Sequence, residues 1–188
     1  MRELAKLDPD KDVQIVPTAP DAMGAPLLNR TVDSAMTLEP FTTQILAGEE
    51  TKSLVNTLDA APRHPWYLVV VRTDFLQQNR DLVLKALKAH IEAVKYINTN
   101  PTETNQIIAK AFKLGPVTGT KTGKITPPAD IIGLARERVG FDYRIADRDL
   151  EFFERQIRWS KGLGFTKGER KAADMIDLSV LKEALTGK

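Results

Sequence analysis

The chain lacks the residues on which several kinds of functional site depend. It has no cysteine among its 188 residues, which excludes disulfide bonds, thiolate metal sites and a thiol nucleophile, and leaves the compartment undetermined. Its two histidines, His64 and His90, lie far apart and without metal-ligand spacing, so we expect no metal site. Gly-x-Ser-x-Gly, Walker and Gly-x-Gly-x-x-Gly motifs are also absent. We therefore predict no catalytic residue, no cofactor and no enzyme activity.

An excess of one charge and a long hydrophobic run are missing as well. Lys and Arg number 27 against 25 Asp and Glu, so no global field favours nucleic acid or an anionic membrane. No stretch reaches the roughly 20 apolar residues that span a bilayer. Residues 1–10 lack the apolar centre of a secretion signal, so the chain as written is expected in the cytoplasm. The 42% of hydrophobic residues nevertheless suffice for a core.

The first third of the chain alternates short strand-like and helical segments, which is typical of βαβ units and a largely parallel sheet. We therefore predict an α/β fold. The predicted strands are Val13–Val16, Val32–Leu38, Ser53–Thr57 and Trp66–Val71, and the predicted helices between them are Ala22–Leu28 and Phe41–Ala47.

From Asn79 onward the pattern is helical. Apolar residues recur at spacings of three and four between Leu82 and Ile97, which predicts an amphipathic helix. Asn100 is expected to cap a second helix that begins at Pro101, with Glu103 completing a capping box. Residues 114–128 are rich in glycine and proline and are expected to form an exposed, mobile loop. Further helices are predicted at Ala129–Arg138, Asp147–Lys161 and Leu178–Leu185.

The segment around Glu39 is the sharpest candidate for a ligand site. A strand is expected to end there, and Pro40 suits the first position of a helix whose free backbone N–H groups attract polar or anionic groups. Glu39 has two roles open to it: a ligand contact at the edge of the sheet, or a carboxylate that stabilises the helix start. Trp66 and Tyr67 could form an aromatic wall, although one of them should face the core.

Four arginines, interspersed with acidic residues, form a second cluster in the sequence. They could bind a carboxylate or sulfonate, but the mixture of charges favours a solvated, ion-paired surface. They are Arg136, Arg138, Arg144 and Arg148.

Three segments together resemble the nitrate/sulfonate/taurine-type substrate-binding proteins of ABC transporters, a family that includes thiamine-pyrimidine binders. They occur in the family's order. They are residues 29–41 (Asn-Arg-Thr-Val-Asp-Ser-Ala-Met-Thr-Leu-Glu-Pro-Phe), residues 65–76 (Pro-Trp-Tyr-Leu-Val-Val-Val-Arg-Thr-Asp-Phe-Leu), and the helix with its cap from Val83 to Glu103. The resemblance covers residues 8–112 well.

This resemblance implies a type II periplasmic-binding-protein-like fold, with two α/β lobes and a ligand cleft between them. Residues 1–62 would form most of the second lobe, residues 63–72 a strand crossing the hinge, and residues 73–188 the C-terminal helices of the first lobe. The family's N-terminal half lobe has no counterpart here, so the chain is expected to be a C-terminal portion that exposes apolar surface and self-associates. The implied ligand-binding residues are Thr18, Thr37, Glu39, Pro40 and Trp66.

The implied function is capture of a small nutrient and its delivery to an ABC transporter permease, without chemistry on the nutrient. Nitrate, sulfonates, taurine and pyrimidine-like compounds all remain open as the ligand. Two alternatives share the fold: a ligand-sensing regulatory module, and an enzyme of pyrimidine-precursor synthesis, which the absence of cysteine disfavours. The full-length family member would be periplasmic or extracellular and membrane-associated.

Overall fold

Helices dominate the structure. The computed structural model describes residues 6, 8, 11–56, 59, 65 and 67–186, and these contain mostly helix and one two-stranded sheet. A 3-10 turn (Pro20–Ala22) and α1 (Gly24–Leu28) come first. They are followed by α2 (Phe41–Ala47), α3 (Thr73–Gln78), α4 (Arg80–Thr99), α5 (Pro101–Ala111), β1 (Val117–Thr118), β2 (Ile125–Thr126), α6 (Pro128–Arg136), α7 (Asp147–Gly162), α8 (Ala172–Met175) and α9 (Leu178–Thr186).

The predicted helices are confirmed to within a few residues. Helix α2 has the predicted bounds, and α4, α5, α6, α7 and α9 lie where the periodicity placed them. The strength of these predictions follows from the apolar stripe of each helix, which must be buried against a neighbour. On α4, the stripe supplies the buried residues Ile91 and Val94.

The predicted parallel sheet is wrong for the described residues. The described parts of 13–16, 32–38, 53–57 and 66–71 have no regular secondary structure and no strand pairing. A strand needs a neighbouring strand to pair with, and within the described residues strand pairing joins β1 and β2. Many apolar side chains of the predicted strands face solvent: Leu54 is 84% exposed and Val70 is 86% exposed.

Part of the core lies where α6 packs on α5. Ile131 is completely buried, and Ile132 and Ala135 of the same helix are buried with it. The two helices approach closely at Gly133, where an added Cβ would lie 3.3 Å from the Asn105 side-chain nitrogen. Burying this face of α6 is what holds the two helices together.

Arg136, at the end of α6, ties the core to the C-terminus of α4. Its Nη2 donates to the Ile97 carbonyl at 2.8 Å, its Nη1 donates to the Asn105 side-chain oxygen at 3.3 Å, and its guanidinium lies over the ring of Phe141. The last carbonyls of a helix have no partner within the helix, so Arg136 satisfies one of them. The expectation of a solvated, ion-paired arginine cluster is therefore wrong for Arg136. Arg144 agrees with that expectation, because it is exposed and forms an ion pair with Asp142.

The predicted capping box at the start of α5 does not form. Asn100 is the residue before the helix, but its side chain donates to the Tyr96 carbonyl and the Thr99 hydroxyl instead. Glu103 accepts a hydrogen bond from the Tyr96 hydroxyl, which raises the pKa of Tyr96. The preceding helix α4 ends at Thr99, next to Asn100, and offers the Tyr96 carbonyl and the Thr99 hydroxyl as acceptors. The Asn100 side chain binds these acceptors and does not cap α5.

A hairpin replaces the predicted loop between residues 114 and 128. Strands β1 and β2 pair antiparallel, with Val117 opposite Thr126 and Thr118 opposite Ile125. The turn between the two strands is stabilised by Glu49, a residue that follows α2. The Glu49 carboxylate accepts hydrogen bonds from the Lys121 and Thr122 amides, each at 2.9 Å. Hydrogen bonding from Thr122, first its hydroxyl and then its amide, holds the pKa of Glu49 below its ordinary value. A long-range carboxylate thus orders a segment whose local sequence indicates a loop.

Two further contacts attach the C-terminal helices. Helix α9 packs on α4, where Arg80 donates to Glu183 at 2.6 Å and 3.2 Å. Helix α8 packs on α7, where the Ala172 amide donates to Glu154 at 2.7 Å. Helix α2 packs on α6. The predicted division of the chain assigns α2 to residues 1–62 and α6 to residues 73–188, and that division stays a prediction.

Among the described residues, no helix combines the length and the apolar character that crossing a membrane requires.

We expect the core between α5 and α6 to dominate stability. Replacing Ile131 by Ala should lower the free energy of unfolding by about 2–5 kcal/mol, because the substitution leaves a cavity in a closed site. Urea denaturation followed by circular dichroism measures the loss. Leu134→Ala on the same helix is the matched control, since Leu134 is 42% exposed, and it should cost at most about 1 kcal/mol. Equal losses for the two variants would contradict this placement of the core.

Candidate functional site

The start of α2 gathers three of the predicted ligand residues. Thr37, Glu39 and Pro40 immediately precede the helix, and Pro40 is buried at the N-cap position, one residue before the predicted one. The Thr37 hydroxyl contacts the Thr42 hydroxyl across the helix start. The segment therefore forms a polar corner at the start of α2.

Glu39 makes hydrogen bonds within the chain through both carboxylate oxygens. Its Oε2 accepts from the Thr43 amide at 3.1 Å and from the Thr43 hydroxyl at 2.7 Å. Its Oε1 accepts from Arg138 Nη1 at 3.1 Å. Of its two predicted roles, the helix-start carboxylate is thus present in the structure, and the role of ligand contact stays a prediction.

Arg138 completes the corner from the far side of α6. It lies two residues beyond the end of that helix, and its Nη1 also donates to the Thr43 hydroxyl at 2.7 Å. The Arg138 side chain is 40% exposed, whereas the Glu39 side chain is only 11% exposed. The pair therefore has an inner carboxylate and an outer guanidinium that reaches solvent.

The backbone donors expected at this helix start are largely engaged. The Thr42 amide donates to the Leu38 carbonyl at 3.0 Å, and the Thr43 amide donates to Glu39. The prediction that free N–H groups of α2 would attract a ligand is therefore wrong for these two amides. Any polar recognition at this corner depends on side chains.

The other two predicted residues lie apart from the corner or outside the described residues. The Thr18 hydroxyl donates to the Val16 carbonyl at 3.3 Å, and no hydrogen bond within the described ranges links Thr18 to Glu39. Trp66 and His64 lie outside the described residues. Tyr67, the other half of the predicted aromatic wall, is exposed.

The sequence alone does not predict that Glu39 pairs with Thr43 and Arg138, although Arg138 is one of the four arginines considered for a carboxylate or sulfonate. Thr43 had a local signal, since residues four apart on a helix start can share a hydrogen bond with the carboxylate that precedes it. The pairing of Glu39 with Arg138 had no local signal, because the two residues lie 99 positions apart in the chain. Only the packing of α2 on α6 brings the two charges together.

The described part of the chain contains no group of three histidine, cysteine, aspartate or glutamate side chains that could hold a metal ion. His90, which lies on α4, is exposed.

We expect Glu39 to stabilise α2. Glu39→Ala removes both the cap on the Thr43 amide and the partner of Arg138, so the free energy of unfolding should fall by about 1–2 kcal/mol. Thermal and urea unfolding measure this loss. Glu50→Ala is the control, since Glu50 is exposed and makes no hydrogen bond or ion pair with the described residues; it should leave the unfolding curve unchanged. An unchanged curve for Glu39→Ala would contradict a structural role.

Comparison with known proteins gives one finding. The model of the NMT1-like family matches residues 3–113, which is more than half of the chain. No curated protein and no solved structure matches the chain. The match begins before α1 and includes Glu39, α2, α4 and α5, and so confirms the resemblance of the three segments. The chain belongs to the NMT1-like family, the family of nitrate/sulfonate/taurine-type substrate-binding proteins and thiamine-pyrimidine precursor binders.

Proposed function

We propose that this chain takes part in capturing a small organic or anionic solute and delivering it to the permease of an ABC transporter, without chemistry on the solute. Family membership over residues 3–113 is the observation that carries this proposal. The solute classes handled by the family are small and polar, and a polar corner with an accessible charge suits them.

The corner formed by Glu39, Thr43 and Arg138 is the best-supported place for solute recognition. Arg138 is held by two partners and still reaches solvent, so its guanidinium is positioned in advance for a second anion. A pre-ordered side chain loses less entropy on binding, and arginine matches the planar or tetrahedral oxygens of carboxylates and sulfonates. Glu39 then acts chiefly as the residue that positions Arg138.

A zwitterionic solute fits this corner better than a simple anion. Glu39 already offsets part of the charge of Arg138 at 3.1 Å, which weakens attraction for an ion such as nitrate. A solute with both an amino and a sulfonate group meets a carboxylate and a guanidinium side by side. Among the solute classes of the family, we therefore favour a taurine-like sulfonate. Thr37 and Pro40 form the adjoining wall, and Thr18 and Trp66 stay predicted contacts.

We expect Arg138→Ala to weaken taurine binding by about 10- to 100-fold, the loss of one charge-assisted hydrogen bond. Isothermal titration calorimetry of the full chain with taurine, and with nitrate for comparison, measures this. Arg144→Ala is the matched control, because Arg144 is an exposed arginine paired with Asp142 elsewhere on the surface. Equal affinities of the wild-type protein and Arg138→Ala would contradict the assignment of the corner. Absence of solute binding to the wild-type protein would contradict the proposed function of this chain.

The exposed apolar segments support a larger two-lobed arrangement. Residues 67–71 are consecutive, apolar and exposed, although such a run is typical of a strand buried on both faces. In a type II binding-protein-like fold these residues would cross between the lobes and pair with neighbouring strands. We propose that this segment and the exposed residues Leu54 and Val55 acquire strand partners beyond the residues described, and that the cleft is completed there.

When the chain is studied by itself, the exposed apolar surface of residues 67–71 should drive self-association, because such patches are removed from water when two copies of the chain meet. Sedimentation velocity at increasing protein concentration should show growing oligomers. Val70→Lys should shift the distribution toward the monomer, since Val70 is among the most exposed residues of the segment. Leu163→Lys is the control at another exposed apolar position. A concentration-independent monomer for the wild-type protein would contradict this prediction.

A further inference from the structure

The turn between β1 and β2 has the construction of an anion-binding site that the chain itself occupies. Three donors converge on the carboxylate of Glu49: the Lys121 amide at 2.9 Å, the Thr122 amide at 2.9 Å and the Thr122 hydroxyl at 2.7 Å. The two amides meet at Oε2, and the hydroxyl donates to Oε1. Successive backbone N–H groups that point into one concavity are a known anion-binding arrangement.

Gly119 makes room for the bound carboxylate. A Cβ added at this glycine would lie 2.5 Å from the Glu49 carboxyl carbon and 2.6 Å and 2.9 Å from its oxygens. No side chain of any size fits there while the carboxylate is in place. The φ angle of Gly119 lies outside the left-handed region, so its backbone conformation does not require glycine. Space for the anion is therefore the physical reason for a glycine at this position.

The surroundings favour negative charge. The charge of Lys121 adds to the hydrogen bonds that lower the pKa of Glu49, and Lys124 follows in the same turn. The Lys124 amide donates to the Thr122 hydroxyl oxygen at 3.2 Å, which orients that hydroxyl toward Glu49. Cationic side chains around an amide concavity are the composition of a site for carboxylate, sulfonate or sulfate oxygens.

The backbone around Glu49 brings its carboxylate to this cradle. Glu49 adopts a left-handed conformation with a φ of 64°, which non-glycine residues adopt infrequently. The Gly48 carbonyl beside it accepts from the amide and the hydroxyl of Thr120, each at 3.1 Å. The hairpin is thus attached to the end of α2 by contacts other than the Glu49 carboxylate, and these remain when that carboxylate leaves.

We propose that the turn 119–124 is a binding site for small oxyanions of the carboxylate or sulfonate class, and that Glu49 is a tethered carboxylate that an external anion displaces. The site lies at the opposite end of α2 from the Arg138 corner, about 10 Å away by the rise of the helix. It is therefore independent of the proposed solute corner. A tethered competitor has an effective concentration of the order of millimolar, so the wild-type chain binds the external anion weakly.

Removing the tethered carboxylate should expose the site. In Glu49→Ala, sulfate at millimolar concentration should cause saturable shifts of the Lys121 and Thr122 amide resonances, with an affinity at least about tenfold above that of the wild-type chain. Acetate and methanesulfonate test the two organic head groups, and sodium chloride at matched ionic strength controls for screening. Glu50→Ala should behave as the wild-type chain.

Gly119→Ala provides the matched steric test. In the Glu49→Ala background, the added Cβ would occupy the position of the anion, and sulfate binding should be lost. Gly115→Ala in the same background is the control, because an added Cβ there meets nothing within 4 Å; binding should persist.

The result that overturns the proposal is the absence of saturable sulfate shifts in Glu49→Ala while β1 and β2 still pair. Glu49 would then be a structural clamp only. If the hairpin does not form in Glu49→Ala, the same titration is made on Glu49→Gln. The glutamine side-chain oxygen can still accept hydrogen bonds from the turn amides, but it carries no charge. Saturable sulfate shifts in Glu49→Gln would support the site, and their absence would overturn it. Neither result depends on taurine binding at Arg138.

Discussion

The packing of α5 on α6 is the contact on which the rest of the described structure depends. Ile131 of α6 is completely buried, and α6 packs on α5. The C-terminal end of α6 carries Arg136, which satisfies a carbonyl of α4, and Arg138, which follows the helix and reaches the start of α2. The packed helix thus presents two arginines with different roles: Arg136 contacts another helix, and Arg138 carries a charge that reaches solvent.

Helix α2 shows how tertiary contacts sustain an element that is too short to persist alone. It has 7 residues, well below the roughly 12–15 needed for a marginally stable isolated helix. A carboxylate stands at each end: Glu39 caps the Thr43 amide and meets Arg138, and Glu49 meets the hairpin turn. The helix is stabilised by its position between α6 and the hairpin, so both candidate sites adjoin parts of the chain distant in sequence.

The two proposed sites differ in the groups that would hold an anion. At the Arg138 corner a side-chain guanidinium is held by the largely covered carboxylate of Glu39, so opposite charges lie at a set distance. At the hairpin turn the donors are mainly backbone amides, which are fixed by the fold and need no side-chain ordering. The exposed apolar segment 67–71 belongs to neither site. Its composition is typical of a strand that is buried on both faces.

The sequence by itself determined α4, α5, α6, α7, α9 and the bounds of α2, because each apolar stripe repeats with the helical period and needs only local information. The short helix α8 was not predicted. It also indicated the family, through the order of three segments. The predicted strands were wrong because strand pairing depends on which segments become neighbours in space, and within the described residues the paired strands are β1 and β2. The pairings of Glu39 with Arg138 and of Glu49 with Thr122 join residues 99 and 73 positions apart. Only tertiary structure decided them, since no local pattern specifies which distant donor a carboxylate meets.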